Sequence, residues 1–334
     1  MPRPAVDLIV LHEHPEWQKP LFEALGRRGV SFAPFGLARA AFTNDDVPGA
    51  RLYFNQASPS AYLRGHTRAV PFALAYMRSL AMRGARAAGR DLTHRYGKVE
   101  GLTTKSSATD PVTDADRCAE STLVKLISQE RPDDGLLGEE GAERESRTGI
   151  RWVIDPLDGT VNYLYQLDNF AVSIAAEDED GPLVGVVHNP VTKRTYHAIR
   201  GVGASVDGRP LRVNDPVPME RALLATGFGY DTDIRRRQAA LIGRLLPQVR
   251  DIRRIGSAAL DLCAVASGSV DAYFEEGIKV WDVAAGGLIA EEAGAKAIRT
   301  TPIAGQPGLL VAGPALFEQL TQALEEIRDT AGAQ

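Results

Sequence analysis

The sequence predicts an α+β fold preceded by a small α/β segment, and three patterns carry that expectation. Two helical patterns, 68–96 and 116–130, precede a run of short β-branched segments between 151 and 206, which suggests a meandering antiparallel sheet. The last third then alternates helical and extended patterns. Before all of this, the first ~80 residues follow a strand, helix, strand order typical of a β-α-β unit.

Taken in order, Val6 to His12 reads as a buried strand. Trp17 to Arg28 reads as a helix with Trp17, Leu21 and Leu25 on one face, closed by Gly29. Arg51 to Asn55 is extended and runs into the turn-rich Gln56-Ala57-Ser58-Pro59-Ser60. Leu74, Met77, Leu80 and Leu92 give 68–96 an apolar stripe that Gly84 and Gly89 weaken, and a domain boundary is expected inside this helix, dividing 1–80 from 81–334. Leu123, Leu126 and Ile127 mark the helix Asp116 to Glu130, which Pro132-Asp133-Asp134-Gly135 ends. Strands are expected at Arg151–Ile154, Ala171–Ala176, Leu183–His188, Thr195–Arg200 and Ala204–Val206. Further helices are expected at Ala258–Ser267, Val283–Ala293 and Pro314–Thr330, with strands at Val270–Phe274 and Gly308–Ala312. No internal repeat is visible.

Composition narrows the function classes. The 334 residues are 44% apolar and 24% charged, enough for one large domain or two ordinary ones. A net charge of −5 argues against a dedicated nucleic-acid or anionic-lipid binder. Cys118 and Cys263 stand far apart with no Cys/His spacing, so neither a disulfide framework nor a zinc site is indicated, and a reducing cytoplasm is expected. No secretory signal is expected at the start, and prolines at 302, 307 and 314 argue against a membrane helix in the longest uncharged run.

The chemistry concentrates in acidic blocks: Gly138-Glu139-Glu140, Asp155-Pro156-Leu157-Asp158-Gly159-Thr160 and Trp281-Asp282-Val283-Ala284-Ala285-Gly286. A carboxylate that ends an apolar strand such as Trp152-Val153-Ile154 loses hydration, which is costly unless a cation or donor compensates. Hard cations such as Mg²⁺ prefer oxygen ligands and suit such a set better than Zn²⁺. Each block also has an ordinary structural reading. Asp158 and Asp282 could be helix N-caps, Asp155 a strand-end turn residue, and Glu139 with Glu140 a solvated turn. Within Lys105 to Asp116, Thr113 or Asp114 could cap the following helix. Asp116 at that helix start could equally accept a hydrogen bond from Thr160, making a pair able to orient and deprotonate water. The backbone N–H groups of Gly159, Thr160 and Val161 would open a short helix, where phosphate binds readily.

Together these blocks resemble the inositol monophosphatase family of Mg²⁺-dependent, typically lithium-sensitive phosphatases, over about Ala81 to the C-terminus. The resemblance rests on Asp-Pro-Leu-Asp-Gly-Thr and Trp-Asp-Val-Ala-Ala-Gly in order, with Gly-Glu-Glu and the Asp110 to Asp116 block upstream. It implies the layered αβαβα sandwich of the inositol monophosphatase and fructose-1,6-bisphosphatase type. It also implies that Glu139, Asp155, Asp158, Asp282 and the Leu157 carbonyl bind two or three Mg²⁺ ions. Asp116 and Thr160, with Glu139, would then serve a metal-activated attack of water on inositol 1-phosphate or a similar small polyol or sugar phosphate. Gly159, Thr160 and Val161 would hold the phosphate, and Gly256, Ser257, Ala258 and Glu275 the substrate's hydroxyls. Glu276 beside Glu275 leaves that last assignment open. Many members carry Thr or Ser at Val161, where only a side-chain hydroxyl is lost. Fructose 1,6-bisphosphate, histidinol phosphate and 3′-phosphoadenosine 5′-phosphate remain alternative substrates. A homodimer is the assembly implied.

Leu52 to His66, in contrast, resembles the N-terminal lobe of ATP-grasp ligases. The remaining lobes have no room before the phosphatase pattern begins, so this segment reads as a fused appendage; a nucleotide-binding or ligase-type module is the competing class.

Overall fold

A computed structural model of the chain describes residues 6–12, 19–36, 50–55, 69–98, 100–104 and 111–331. It divides into two compact units, Met1–Tyr76 and Met77–Gln334.

In the first unit, β1 (Val6–His12) lies between β2 (Phe32–Gly36) and β3 (Ala50–Asn55), parallel to both. Helix α1 (Lys19–Arg27) links β1 to β2, and its Phe22 stacks on Phe32 with ring centroids 5.3 Å apart. Gly29 follows it with φ +67°. Strand β2 was not expected from the sequence because Pro34 and Gly36 lower its strand propensity. Strand β2 is an edge strand of this sheet, where a proline is tolerated. Trp17 and residues 56–66 of the ligase-like stretch lie outside the described residues.

The second unit is the five-layer αβαβα sandwich. Its first layer is α2 (Ala69–Arg95), from Met77 onward, with α3 (Asp114–Glu130). The glycines that weaken α2 on propensity serve contact instead. A Cβ at Gly84 would stand 3.1 Å from Leu123, and one at Gly89 2.9 Å from the His188 ring. A two-stranded ribbon of β4 (Thr103–Thr104) and β5 (Pro111–Val112) precedes α3.

The second layer is an eight-stranded sheet ordered β13-β12-β11-β10-β9-β8-β6-β7. Its meander β8 (Arg151–Asp158), β9 (Ala171–Asp178), β10 (Gly181–His188), β11 (Thr195–Ile199) and β12 (Gly203–Val206) is antiparallel throughout, as the sequence suggested, and a two-residue β13 (Arg209–Pro210), not expected from the sequence, adds antiparallel to β12. Beyond β8, β6 (Gly135–Gly138) pairs parallel to it and β7 (Glu143–Arg144) antiparallel to β6. Between β8 and β9 lies α4 (Thr160–Leu164).

Helices α6 (Ala258–Ala266) and α7 (Val280–Glu292) form the middle layer. Leu262, Val265, Ala285, Leu288 and Ile289 pack there against Val153 and Val187 of one sheet and Tyr273 and Val311 of the other. The second sheet is mixed, in the order β15 (Asp251–Arg253), β14 (Leu223–Ala225), β16 (Ala272–Glu276), β18 (Gly308–Ala312), β17 (Lys296–Thr300). Helices α5 (Thr232–Leu245) and α8 (Pro314–Ala331) cover its outer face through Leu241, Leu245, Leu316, Leu320 and Leu324.

Helix α5 and strands β14, β15 and β17 escaped the sequence pattern for physical reasons. Three basic residues sit at 235–237 of α5, and only Gln238, Leu241 and Leu245 of it are buried. The strands are three residues long, or, in β17, mostly exposed.

The turn before β6 is fixed by buried Asp134, which is 1% exposed. It accepts hydrogen bonds from the Trp152 indole (2.9 Å), from Arg131 Nε and Nη2 (2.7 and 2.9 Å) and from the Thr148 hydroxyl (2.7 Å). Asp134→Ala strands the indole N–H in the core and unpairs Arg131. It is expected to cost roughly 3 kcal/mol in urea unfolding, and a change below about 0.5 kcal/mol would contradict this network's role.

Candidate active site

Strand β8 carries Asp155 and Asp158 at its end. The sequence ended this strand at Ile154, but β8 runs on through Asp158 with a bulge. Asp155 pairs with Ser173 and Asp158 with Ala171, so three steps on β8 match two on β9. In a regular strand residues three apart face opposite sides; one extra residue brings both carboxylates to the same side, and Pro156 is tolerated within the bulge. Both line one cavity of about 410 Å³. Asp155 accepts from the Leu157 N–H at 3.0 Å.

Asp158 is not the N-cap of α4; that position is Gly159, at φ +94°. A Cβ at Gly159 would meet the Asn169 carbonyl at 2.9 Å, so glycine answers both conformation and space. Asp158 instead accepts from the Ser257 hydroxyl and from the Ala259 N–H (2.8 Å), tying the end of β8 to the first turn of α6. Asp282 is likewise not an N-cap. It stands at the third position of α7 and accepts from the Lys279 N–H at 2.8 Å, which starts α7 three residues earlier than the sequence suggested. Glu139 follows β6 directly, and its N–H continues the parallel pairing to the Ile154 carbonyl at 3.1 Å.

Thr113 caps α3, accepting from the Ala115 N–H at 3.1 Å, so the helix begins at Asp114 and Asp116 is its third residue. Thr113 also donates to Asp116 Oδ2 from its N–H (2.8 Å) and its hydroxyl (2.6 Å). The other oxygen, Oδ1, accepts from the Thr160 hydroxyl at 3.1 Å, a contact across 44 residues. Thr160 Oγ1 also lies 3.1 Å from the Leu157 carbonyl. The capping and pairing readings of this block therefore both hold; residues 105–110 of it lie outside the described residues.

The opposite wall separates Glu275 from Glu276. Glu276 is buried and accepts from the N–H groups of Ile303 (2.6 Å) and Ala304 (2.9 Å), so it holds a loop. Both glutamates line the cavity, but Glu275 accepts from the Tyr273 hydroxyl at 2.9 Å and lies over Gly227, where a Cβ would be 2.0 Å away. Burial pushes its pKa up to about 7. Gly256, Ser257 and Ala258 line the same cavity, but the Ser257 side chain is buried and spent on Asp158 and on capping α6.

Three further residues were not picked out from sequence. Asn162 donates to the Asn169 and Ile255 carbonyls at 2.6 and 2.9 Å and so joins α4 to the segment before α6. Asp261, 1% exposed, has an Oδ1 without a hydrogen-bond partner, and burial with the Glu275 and Asp158 charges pushes its pKa up to about 9. Arg254 lines the cavity and acts against both of those shifts. The adjacent Arg253-Arg254 pair and the Asp261 inside an apolar helix were the available signals.

Electrostatics and donor chemistry test whether a cation fits. Burial and the charges of Glu139, Asp158 and Asp282 push Asp155 well above the ordinary carboxylate range. Burial and the Asp158 and Glu139 charges do the same to Asp282. Burial raises Asp158 to about 6 despite its donors Ser257 and Ala259. Among the described residues no group of three or more His, Cys, Asp or Glu side chains is already placed so that it could hold a metal ion. The set is nevertheless all oxygen, acidic and short of positive charge, which fits a hard divalent cation.

Two sheets separated by paired helices, with clustered acids at a strand end above a cavity of phosphate-ester size, define a class of metal-dependent phosphatases. The profile of the Inositol monophosphatase family matches residues 73–329, and the chain belongs to that family. It is a phosphoric monoester hydrolase. It is 46% identical over 232 residues to the inositol-1-monophosphatase SuhB of Mycobacterium tuberculosis, covering 66% of this chain and 80% of that one. It is 42% identical over 221 residues to a Pasteurella multocida protein named Nus factor SuhB, covering 65% and 83%. The solved SuhB structure from Bartonella henselae matches with TM-score 0.69 and 33% identity, covering 75% of this chain and 98% of that one. No helix among the described residues is long and apolar enough to cross a membrane.

The raised carboxylates set the sign of a stability effect. Asp155 in the cation-free fold holds its proton above its unfolded pKa, so its contribution weakens as pH rises through that window. Asp155→Asn removes the repulsion and keeps an acceptor for Leu157. In chelator, the variant is expected to melt higher than wild type, by about 2–4 °C for each kcal/mol gained. The gap should widen from pH 4.5 to 7.5, and a gap that closes would contradict the electrostatic reading.

Proposed function

We propose that this chain hydrolyses inositol 1-phosphate or a closely similar monophosphate of a small polyol, using two or three Mg²⁺ ions. The observation that carries the reading is the meeting of the Thr160–Asp116 hydrogen bond with the carboxylates of Asp155, Asp158 and Asp282 around one cavity. Glu139, Asp155, Asp158, Asp282 and the Leu157 carbonyl are the residues that would hold the ions. When bound, Mg²⁺ offsets their charge and draws negative charge from the phosphoryl oxygens.

The chain's own residues then do the rest. Thr113 pins Asp116 Oδ2 and turns Oδ1 toward Thr160. With the Thr160 proton directed to Asp116, the Thr160 oxygen offers a lone pair to a water O–H. The water proton passes to Thr160 while the Thr160 proton passes to Asp116. The water oxygen bonds to phosphorus as the bond to the alcohol oxygen breaks, and the alcohol leaves with a proton from solvent. The N–H groups of Gly159, Thr160 and Val161, free of intrahelical partners at the start of α4, bind the phosphate oxygens. The phosphate thus stays oriented for attack.

The alcohol half of the cavity, lined by Glu275, Asp261 and Arg254 with the Gly256 to Ala258 segment, favours a polyhydroxyl group. The Glu275 and Asp261 carboxyl groups offer acceptors for hydroxyl donors, and Arg254 and Lys279 are the two cationic side chains among the cavity's many acidic ones. This supports a polyol monophosphate over fructose 1,6-bisphosphate or 3′-phosphoadenosine 5′-phosphate. We further expect a homodimer.

A second reading follows from the relatives named Nus factor SuhB: a Nus-factor role beside catalysis. The complete set of candidate catalytic groups favours the first.

Phosphate release from inositol 1-phosphate should require Mg²⁺ and fall by about 10²-fold or more in Asp282→Asn and Thr160→Ala. Turnover of fructose 1,6-bisphosphate, histidinol phosphate and 3′-phosphoadenosine 5′-phosphate in the same assay should be slower. Unchanged turnover in both variants would remove the assignment.

A further inference from the structure

Glu120 takes no part in the chemistry above, yet it is 6% exposed and buried beside the site. It lies one helical turn after Asp116 on α3, so both project from one face. Its carboxylate accepts from two backbone donors, Oε2 from the Glu140 N–H at 2.9 Å and Oε1 from the Ala142 N–H at 3.0 Å. These donors belong to the turn after β6, which is closed by the Gly138 N–H on the Ala142 carbonyl at 2.7 Å. Glu139 sits inside that turn, its own N–H fixed on Ile154.

Gly138 completes the arrangement. A Cβ there would stand 2.2 Å from Glu120 Oε2 and 3.0 Å from the Ala142 Cβ, so any larger residue would push the carboxylate off its donors. Hydrogen bonds to a charged acceptor are the stronger kind, and two from one carboxylate fix both position and rotation of the turn.

We propose that Glu120 is a positioning residue: by clamping the Glu140 and Ala142 N–H groups it aims the Glu139 carboxylate at Asp155 and so sets the affinity of the site for its cation. This rests on the reading of Glu139 as a cation ligand. One helix then supplies Asp116 directly and Glu139 through Glu120. Partners that orient metal ligands typically cost 10–100-fold in affinity when removed, whereas a purely structural clamp would change melting alone.

The test is calorimetric titration of Mg²⁺ into the chelator-treated full chain, for wild type, Glu139→Gln, Glu120→Gln and Gly138→Ala. Glu120→Gln places an amide N–H₂ against one of the two donors; Gly138→Ala displaces the carboxylate without removing it. Both are expected to raise the Mg²⁺ dissociation constant by about 10-fold or more with unchanged far-UV circular dichroism. Their phosphatase activity should recover as Mg²⁺ is raised, while that of Glu139→Gln does not. Should Glu120→Gln fail to fold, Gly138→Ala decides. Weakened binding in Glu139→Gln with wild-type affinity in the clamp variants would overturn the proposal and leave the ligand reading standing. Equal affinity in wild type and Glu139→Gln would overturn the ligand reading itself.

Discussion

Unbalanced negative charge at the end of β8 is the constraint on which the rest of the site depends. Asp155 is buried at 1% exposure and Asp158 at 9%, with Asp282 and Glu139 acting on them. Carboxylates in such surroundings either hold protons or take a cation, and the surrounding backbone is arranged to keep them in place regardless. The Leu157, Ala259 and Lys279 N–H groups each donate to one of the three aspartates. Local hydrogen bonds thus hold together a group of charges that would otherwise move apart.

Architecture makes this meeting possible. The four carboxylates arrive from a central strand, the turn beyond its parallel neighbour and the first turn of a middle-layer helix. Small residues let α7 approach: a Cβ at Gly185 of β10 would lie 2.6 Å from the Ala285 carbonyl, so helix and sheet are in backbone contact. That spacing brings Asp282 to the end of β8. The β8 bulge is the matching device on the sheet side, since without it Asp155 and Asp158 would face opposite ways.

Much of this was legible in the sequence. The acidic blocks mark the site because their composition conflicts with their apolar neighbours, and the Thr160–Asp116 contact followed from two helix starts. The meander from β8 to β12 was legible because its strands are short, rich in β-branched residues and bounded by turn residues. What was not legible depends on distant partners. Asp158 looks like a local cap, yet its donors are about a hundred residues away on α6. Glu275 and Glu276 are equivalent in sequence and separate only when Ile303 and Ala304 claim one of them. Glu120 reads as an ordinary helix carboxylate until the turn at Glu140 comes beside it. Helix α5 stayed hidden because its buried face is narrow and its arginines resemble a solvated run.

The central claim is that these raised carboxylates are discharged by a divalent cation. It is tested most directly by titrating Mg²⁺ calorimetrically near pH 6 in buffers of different ionisation enthalpy. Burial and mutual repulsion raise Asp155 and Asp282 above the ordinary carboxylate range and bring Asp158 to about 6, so the account predicts net proton release on binding and a binding enthalpy that varies with the buffer. Mg²⁺ binding with no proton release, or no binding at all, would contradict it.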